Sequence, residues 1–189
     1  MKNNRILLNE LITINGINSY LVNIFLILIG TFILAISAKV QVPFWPVPMT
    51  MQTFVVFLIG MTYSVRLSFL TLLTYLAEGA FGLPVFAAGG GLAYLVGPTA
   101  GYLYGMLVAA IVISYLAGKG FGVSYIKTTL TLLLGSIIIF SFGIFYLGSL
   151  IGFEKAFQAG LIPFIPSEIF KIALAVSIIP TVYNYIRLK

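Results

Sequence analysis

Long apolar blocks, separated by short breaks of polar, proline or glycine residues, make up most of the chain. A helix needs about 20 apolar residues to cross the hydrocarbon core of a bilayer. The pattern predicts six transmembrane helices, in the blocks 20–38, 50–63, 66–77, 99–117, 123–152 and 166–185. Because the breaks are short, we expect irregular loops at the helix ends and no soluble domain.

The composition fits a membrane protein and no soluble class. Of the 189 residues, 61% are hydrophobic and only 7% are charged, whereas soluble domains contain about 45–50% apolar residues. A soluble fold of this size could not bury so much apolar surface. We therefore expect an all-α integral membrane protein in which residues 1–189 form a single transmembrane domain with irregular external loops.

The first 19 residues carry Lys2 and Arg5 but show no small-residue cleavage site, so we expect no cleaved signal peptide. Their apolar spacing permits a helix that lies at the membrane interface. Plain disorder is the alternative for this segment.

The basic residues predict the orientation in the membrane. Six spans place both termini on one side, and the basic residues then divide between that side (Lys2, Arg5, Arg66, Lys119, Lys127, Arg187 and Lys189) and the other (Lys39, Lys155 and Lys171). By the positive-inside rule both termini are cytoplasmic. We expect a multi-pass plasma-membrane protein whose loops 41–49 and 78–98 meet the start of the last helix at the outer face.

The segment 78–91 is apolar but contains Pro84 and the consecutive Gly89, Gly90 and Gly91. Non-helical backbone at membrane depth is tolerated where protein buries it or where it lines a cavity. Because glycine allows a ligand to approach the backbone closely, the three glycines are candidate binding residues, and Tyr102 joins them as the aromatic residue that follows this loop. The alternative is a packed connection that binds nothing.

Glu168 and Lys171 lie three residues apart at the start of the last helix and therefore on the same face. Ionisable residues at this depth usually point into a cavity or at each other. They form either a polar clamp for a small molecule or an interfacial pair whose lysine extends outward to the headgroups.

Thr31, Ala35 and Ala38 form a stripe of small residues on the first helix, where another helix could approach closely. The partner helix belongs either to this chain, which is the default, or to another subunit.

Several functions lack the residues they need. The chain has no cysteine or histidine, which leaves no nucleophile and base pair for an enzyme and no metal cluster. It has no phosphate-binding loop for ATP, and its basic residues are too scattered for nucleic acid. An intramembrane enzyme lacks its catalytic groups, and a channel lacks a polar stripe.

Three ordered motifs resemble the BioY family, the biotin-binding S components of energy-coupling-factor transporters. They are PFWPVPMTMQT at 43–53, GAFGLPVFAAGGG at 79–91 and GPTAGYLYG at 97–105, and the resemblance extends from about Ala35 to Ala175. It implies a six-helix protein, not an enzyme, that captures biotin at the external face without a cofactor. The loop after the first helix and the loop after the third helix would close over the ligand.

The resemblance also implies partners: a transmembrane coupling subunit and two cytoplasmic ATPases that power uptake. The stripe of Thr31, Ala35 and Ala38 would then dock on the coupling subunit.

The sequence departs from the family pattern at two places. The pattern Pro-Gly-Asp-x-x-Lys is Pro166-Ser167-Glu168-Ile169-Phe170-Lys171 here, so the acid is longer, and Gly89–Gly91 replace a segment that often holds an asparagine. We expect Gly89, Gly90, Gly91, Tyr102, Glu168 and Lys171 to bind the substrate. Of these, the resemblance carries over Lys171 directly and Glu168 as a longer acid. An S component for a different small vitamin is the alternative function.

Overall fold

The computed structural model describes residues 19–187 and is almost entirely helical. The predicted interfacial segment, residues 1–18, lies outside the described residues. In chain order the elements are α1 Ser19–Lys39, β1 Gln41–Val42, β2 Met49–Thr50, α2 Gln52–Thr62, α3 Val65–Ala80, α4 Ala100–Gly118, α5 Tyr125–Ile151, α6 Phe153–Gly160 and α7 Ile165–Arg187. Single 3₁₀ turns cover Leu92–Val96, Phe121–Val123 and Ile162–Phe164.

The six predicted helices are confirmed as α1 to α5 and α7. Within the described part of the chain, four stretches are long and apolar enough to cross a membrane: Tyr20–Lys39, Ala100–Gly118, Tyr125–Ile151 and Phe153–Ile186. The helices α2 and α3 have 11 and 16 residues, which corresponds to about 16 and 24 Å. Since the hydrocarbon core is about 30 Å thick, neither helix spans it alone, and we expect the loop before α2 and the loop after α3 to lie partly at membrane depth.

The hairpin of β1 and β2 and the short helix α6 were not predicted. The two strands pair antiparallel, with Gln41 opposite Thr50, and so turn the chain back between α1 and α2. Helix α6 follows α5 directly after Gly152. Gly152 has a φ of +88°, which interrupts the helix and which glycine adopts without a steric penalty. In α6, Phe153 and Phe157 lie exposed at i and i+4 while Ala156 packs into the protein.

The bundle is apolar both inside and outside, as expected for helices that face lipid. Helix α4 lies at its centre and packs against α2, α3 and α5. Its side of the core contains Ala109, Ala110 and Ile113, which are fully buried, whereas Phe25 on α1 and Phe145 on α5 are 63% and 73% exposed.

The small-residue stripe on α1 faces into this bundle. Thr31 and Ala38 are 3% and 0% exposed, and Ala35 is partly buried against the core. Next to the stripe, Gly30 abuts Thr71 of α3. The stripe therefore packs against helices of the same chain, and it does not form an exposed docking surface in this structure.

The loops predicted to share one end of the bundle do meet there. Lys39 Nζ at the end of α1 donates to the carbonyl of Phe86 at 2.6 Å, and Gln41 Nε2 donates to that of Ala87 at 3.3 Å. The ring of Phe44 lies 6.3 Å from that of Phe164, just before α7. The loops 41–49 and 78–98 thus join the start of α7 into one layer, which we call the loop end.

At Gly79, helix α3 packs against Phe86 of the loop end. A methyl group at Gly79 would overlap the ring of Phe86, and overpacking of this kind costs about 1–3 kcal/mol. We expect Gly79→Ala to lower the unfolding temperature of the detergent-purified protein.

Gly97→Ala is the matched control. A methyl group there would make only ordinary contacts, 3.4 Å from the nearest atom, and φ is −85°. If Gly79→Ala unfolds at the same temperature as Gly97→Ala, Phe86 does not pack against α3 as described.

Candidate functional site

A cavity lies at the loop end, between α2, α4, α5, α7 and the loop that joins α3 to α4. Its polar lining comes from Thr50, Gln52, Thr53, Thr99, Glu168 and Lys171, and its aromatic lining from Phe86, Tyr94, Tyr102, Phe140 and Phe164. Small-molecule pockets have this make-up, a mostly apolar wall with a few placed polar groups. Of the residues predicted from the sequence, the cavity brings together Tyr102, Glu168 and Lys171.

A buried ion pair stands in the cavity wall. Lys171 Nζ lies 3.3 Å from Glu168 Oε2, and the two residues are 3% and 5% exposed. Among the side chains of residues 20–186 this is the only ion pair. The lysine points inward, so the alternative of an interfacial pair that reaches to the headgroups does not apply.

Two hydroxyl groups from other helices complete the pair. Thr53 Oγ1 of α2 donates to Glu168 Oε2 at 3.0 Å and accepts from Lys171 Nζ at 3.0 Å. Ser136 Oγ of α5 donates to Glu168 Oε1 at 3.0 Å. We call Thr53, Ser136, Glu168 and Lys171 the buried network; it joins α2, α5 and α7 across the core.

The buried network retains some hydrogen-bonding capacity. A carboxylate offers about four acceptor positions and an ammonium group three donors. Glu168 accepts three hydrogen bonds and Lys171 donates two. One acceptor and one donor position therefore remain on two side chains that line the cavity.

Aromatic rings form two walls of the cavity. On one side Phe86 stacks on Tyr94 with centroids 4.9 Å apart and meets the edge of Tyr75 at 5.4 Å. On the other side Phe140 lies 6.0 Å from Tyr102 and 6.1 Å from Phe164.

Tyr102 is held firmly in its wall. Its hydroxyl donates to the carbonyl of Gly160 at 2.9 Å, and its ring lies against Gly143, where a methyl group would overlap it.

The three consecutive glycines lie behind this lining. Gly91 N–H donates to the carbonyl of Gly79 at 2.6 Å, and Gly89 N–H donates to that of Phe86 at 3.3 Å. Gly89 and Gly91 have φ of +132° and +100°, which L-residues rarely adopt. In this structure the loop contributes Phe86, Ala87 and Tyr94 to the cavity lining, and the glycines shape the turn that presents them.

Several polar residues of this site were not nominated from the sequence, among them Thr50, Thr99, Gln52, Thr53 and Ser136. Thr53 and Gln52 belong to the motif at 43–53, so that motif was their signal. Gln52 Nε2 donates to Tyr75 OH at 2.8 Å, and Tyr75 OH donates to the carbonyl of Val85 at 2.8 Å. Ser136 had no signal, because a single serine in an apolar helix usually bonds to its own backbone.

The buried network generates a stability prediction. Lys171→Met leaves the Glu168 charge without its partner, which typically costs about 3–5 kcal/mol. We expect a large loss of unfolding free energy, measured by denaturant titration of the purified protein. The double variant Lys171→Met/Glu168→Gln removes both charges and should recover most of the loss. A single variant as stable as the unsubstituted protein would show that the pair is not buried as described.

The sequence is similar to those of known proteins over most of its length. A model of the BioY family matches residues 9–188. The "Probable biotin transporter BioY" of Rickettsia prowazekii is 36% identical over 181 residues, which cover 95% of this chain and 91% of the relative. The "Biotin transporter BioY" of Thermotoga maritima is 37% identical over 149 residues, 78% of this chain and 87% of the relative.

A solved structure shares the fold. It is the S-component for biotin from an ECF-type ABC transporter, with a TM-score of 0.78 and 23% identity over 90% of this chain and 95% of that one. A family match over almost all of the sequence, supported by relatives at more than 30% identity, shows that the chain belongs to the BioY family.

Proposed function

We propose that this protein is the substrate-binding membrane subunit of a biotin transporter and that it captures biotin in the cavity at the loop end. It is a transport component and not an enzyme, as the names of its relatives indicate. The observation that carries the proposal is the buried network, which leaves one acceptor and one donor in an aromatic-walled cavity.

Biotin has the chemistry that this cavity complements. Its ureido ring presents N–H donors beside a carbonyl acceptor, which match the remaining acceptor of Glu168 and the remaining donor of Lys171. Its bicyclic body is apolar and suits the rings of Tyr94, Tyr102 and Phe164. The ligand's carboxylate would be repelled by Glu168, so we place the ureido ring, and not the carboxylate, at the buried network.

Binding requires the cavity to open. Its volume is ≈ 40 Å³, enough for a few water molecules but far below the ~300 Å³ or more of pockets that enclose small molecules. The loops 41–49 and 78–98 cover the cavity. Lys39 at the end of α1 and Gln41 in the first loop hold the second loop in place by hydrogen bonds to the carbonyls of Phe86 and Ala87. We propose that these loops separate to admit the ligand and close over it.

The charge distribution supports an external cavity. At the end opposite the cavity stand Arg66, Lys119, Lys127 and Arg187, at the ends of α3, α4, α5 and α7. The excess of basic residues marks the cytoplasmic side. Both termini would then be cytoplasmic and the loop end would face outward in the plasma membrane.

The energy for uptake would come from other subunits. The solved relative is the S-component of an ECF-type ABC transporter, and by analogy we propose a transmembrane coupling subunit and two cytoplasmic ATPases as partners. Because Thr31 and Ala38 are buried, a coupling subunit would reach that stripe only if the packing of α1 changed.

The function is tested by isothermal titration of biotin into the detergent-purified protein, with riboflavin and thiamine as controls. We expect saturable binding of biotin alone, because among these vitamins only biotin offers the buried network a cyclic urea with an N–H donor on each side of its carbonyl. Binding of another vitamin in place of biotin would contradict the proposed substrate while leaving the family assignment intact.

The role of Lys171 is tested by Lys171→Ala in the same titration. We expect biotin affinity to fall by about tenfold or more, which corresponds to about 1.4 kcal/mol. The double variant Lys171→Met/Glu168→Gln should also bind poorly even though its stability is largely restored.

Lys155→Ala is the matched control for a change of charge, since Lys155 is exposed on α6 at the same end of the bundle. Its affinity should not change. An unchanged affinity for folded Lys171→Ala would remove Lys171 from the binding site.

A further inference from the structure

We propose that Ser136 is a positioning residue that determines which oxygen of Glu168 faces the ligand and thereby sets selectivity for a ureido N–H. The inference rests on the proposed function, because it concerns recognition of biotin in the same cavity. Ser136 is 7% exposed, and its hydroxyl donates to Glu168 Oε1 at 3.0 Å.

The two oxygens of Glu168 are not equivalent. Oε2 accepts from Thr53 at 3.0 Å and from Lys171 at 3.3 Å, which fills its two lone pairs. Oε1 accepts only from Ser136 among the described residues. The acceptor position that remains for a ligand is therefore on Oε1, and Ser136 is the residue that holds this oxygen.

The length of the acidic side chain makes such a support necessary. Glutamate has one more rotatable bond than aspartate, so its carboxylate samples more positions unless partners fix it. Here partners from two other helices hold it, Thr53 from α2 at one oxygen and Ser136 from α5 at the other. With both contacts in place, the plane of the carboxylate is fixed relative to the cavity.

Loss of the serine hydroxyl would free Oε1 to turn toward Lys171. Oε1 would then no longer present its free acceptor position to the ligand's N–H, whereas the ligand's carbonyl could still accept from Lys171. A ligand that depends on its N–H would lose most from this change, whereas a ligand that lacks that N–H would lose little.

The test measures the affinity of wild type, Ser136→Ala and Ser141→Ala for biotin and for a derivative methylated on both ureido nitrogens, which lacks any ureido N–H. Ser141 is exposed on the same helix and is the matched control. We expect Ser136→Ala to weaken biotin binding by about tenfold, the value of a hydrogen bond to a charged group. The affinity for the methylated derivative should change by less than about twofold, as for a neutral surface substitution.

A double-mutant cycle separates positioning from general support of the fold. Glu168→Asp shortens the acid, so its carboxylate no longer reaches Ser136, and Ser136→Ala should then have no further effect on biotin binding. Equal losses for both ligands, or additive effects in the cycle, would show a merely structural role and overturn the inference. Unchanged biotin binding in Ser136→Ala would overturn it too, and failure of wild type to bind biotin would instead overturn the proposed function.

Discussion

A carboxylate and an ammonium group inside an apolar helix bundle are stable only when each finds a partner of opposite charge and hydrogen bonds for its remaining positions. Glu168 and Lys171 meet this condition through the hydroxyls of Thr53 and Ser136. Because these groups come from α2, α5 and α7, the charged pair requires three helices to meet at one point. That point is also the wall of the cavity, so the arrangement that stabilises the pair also presents it to a ligand.

The architecture could be predicted from the sequence because it follows from lengths of apolar sequence. Each long helix lies in a long apolar block with few charged residues, and glycine or proline stands at most of the breaks. The hairpin of β1 and β2 and the eight-residue α6 could not be predicted in this way. They are too short to show a periodicity, and contacts across the loop end, such as that between Tyr102 and Gly160, hold this region together.

Apart from Tyr102, the residues of the candidate site were predicted only where they are close in sequence. Glu168 and Lys171 share a helical face by their spacing alone, but Thr53 and Ser136 lie 115 and 32 residues away from Glu168. The glycine run revealed an unusual backbone without showing which side of the loop faces the cavity. In the structure that side is Phe86, Ala87 and Tyr94. The partner of the stripe on α1 could not be predicted either, because small residues allow close helix packing both within a chain and between chains.

The most direct test of the account is an experimental structure of the protein with biotin bound. We expect the ureido ring within hydrogen-bonding distance of Glu168 Oε1 and Lys171 Nζ, inside a cavity enlarged by displacement of the loops 41–49 and 78–98. Biotin bound elsewhere, or bound with its carboxylate at Lys171, would contradict the assignment of the buried network as the recognition site.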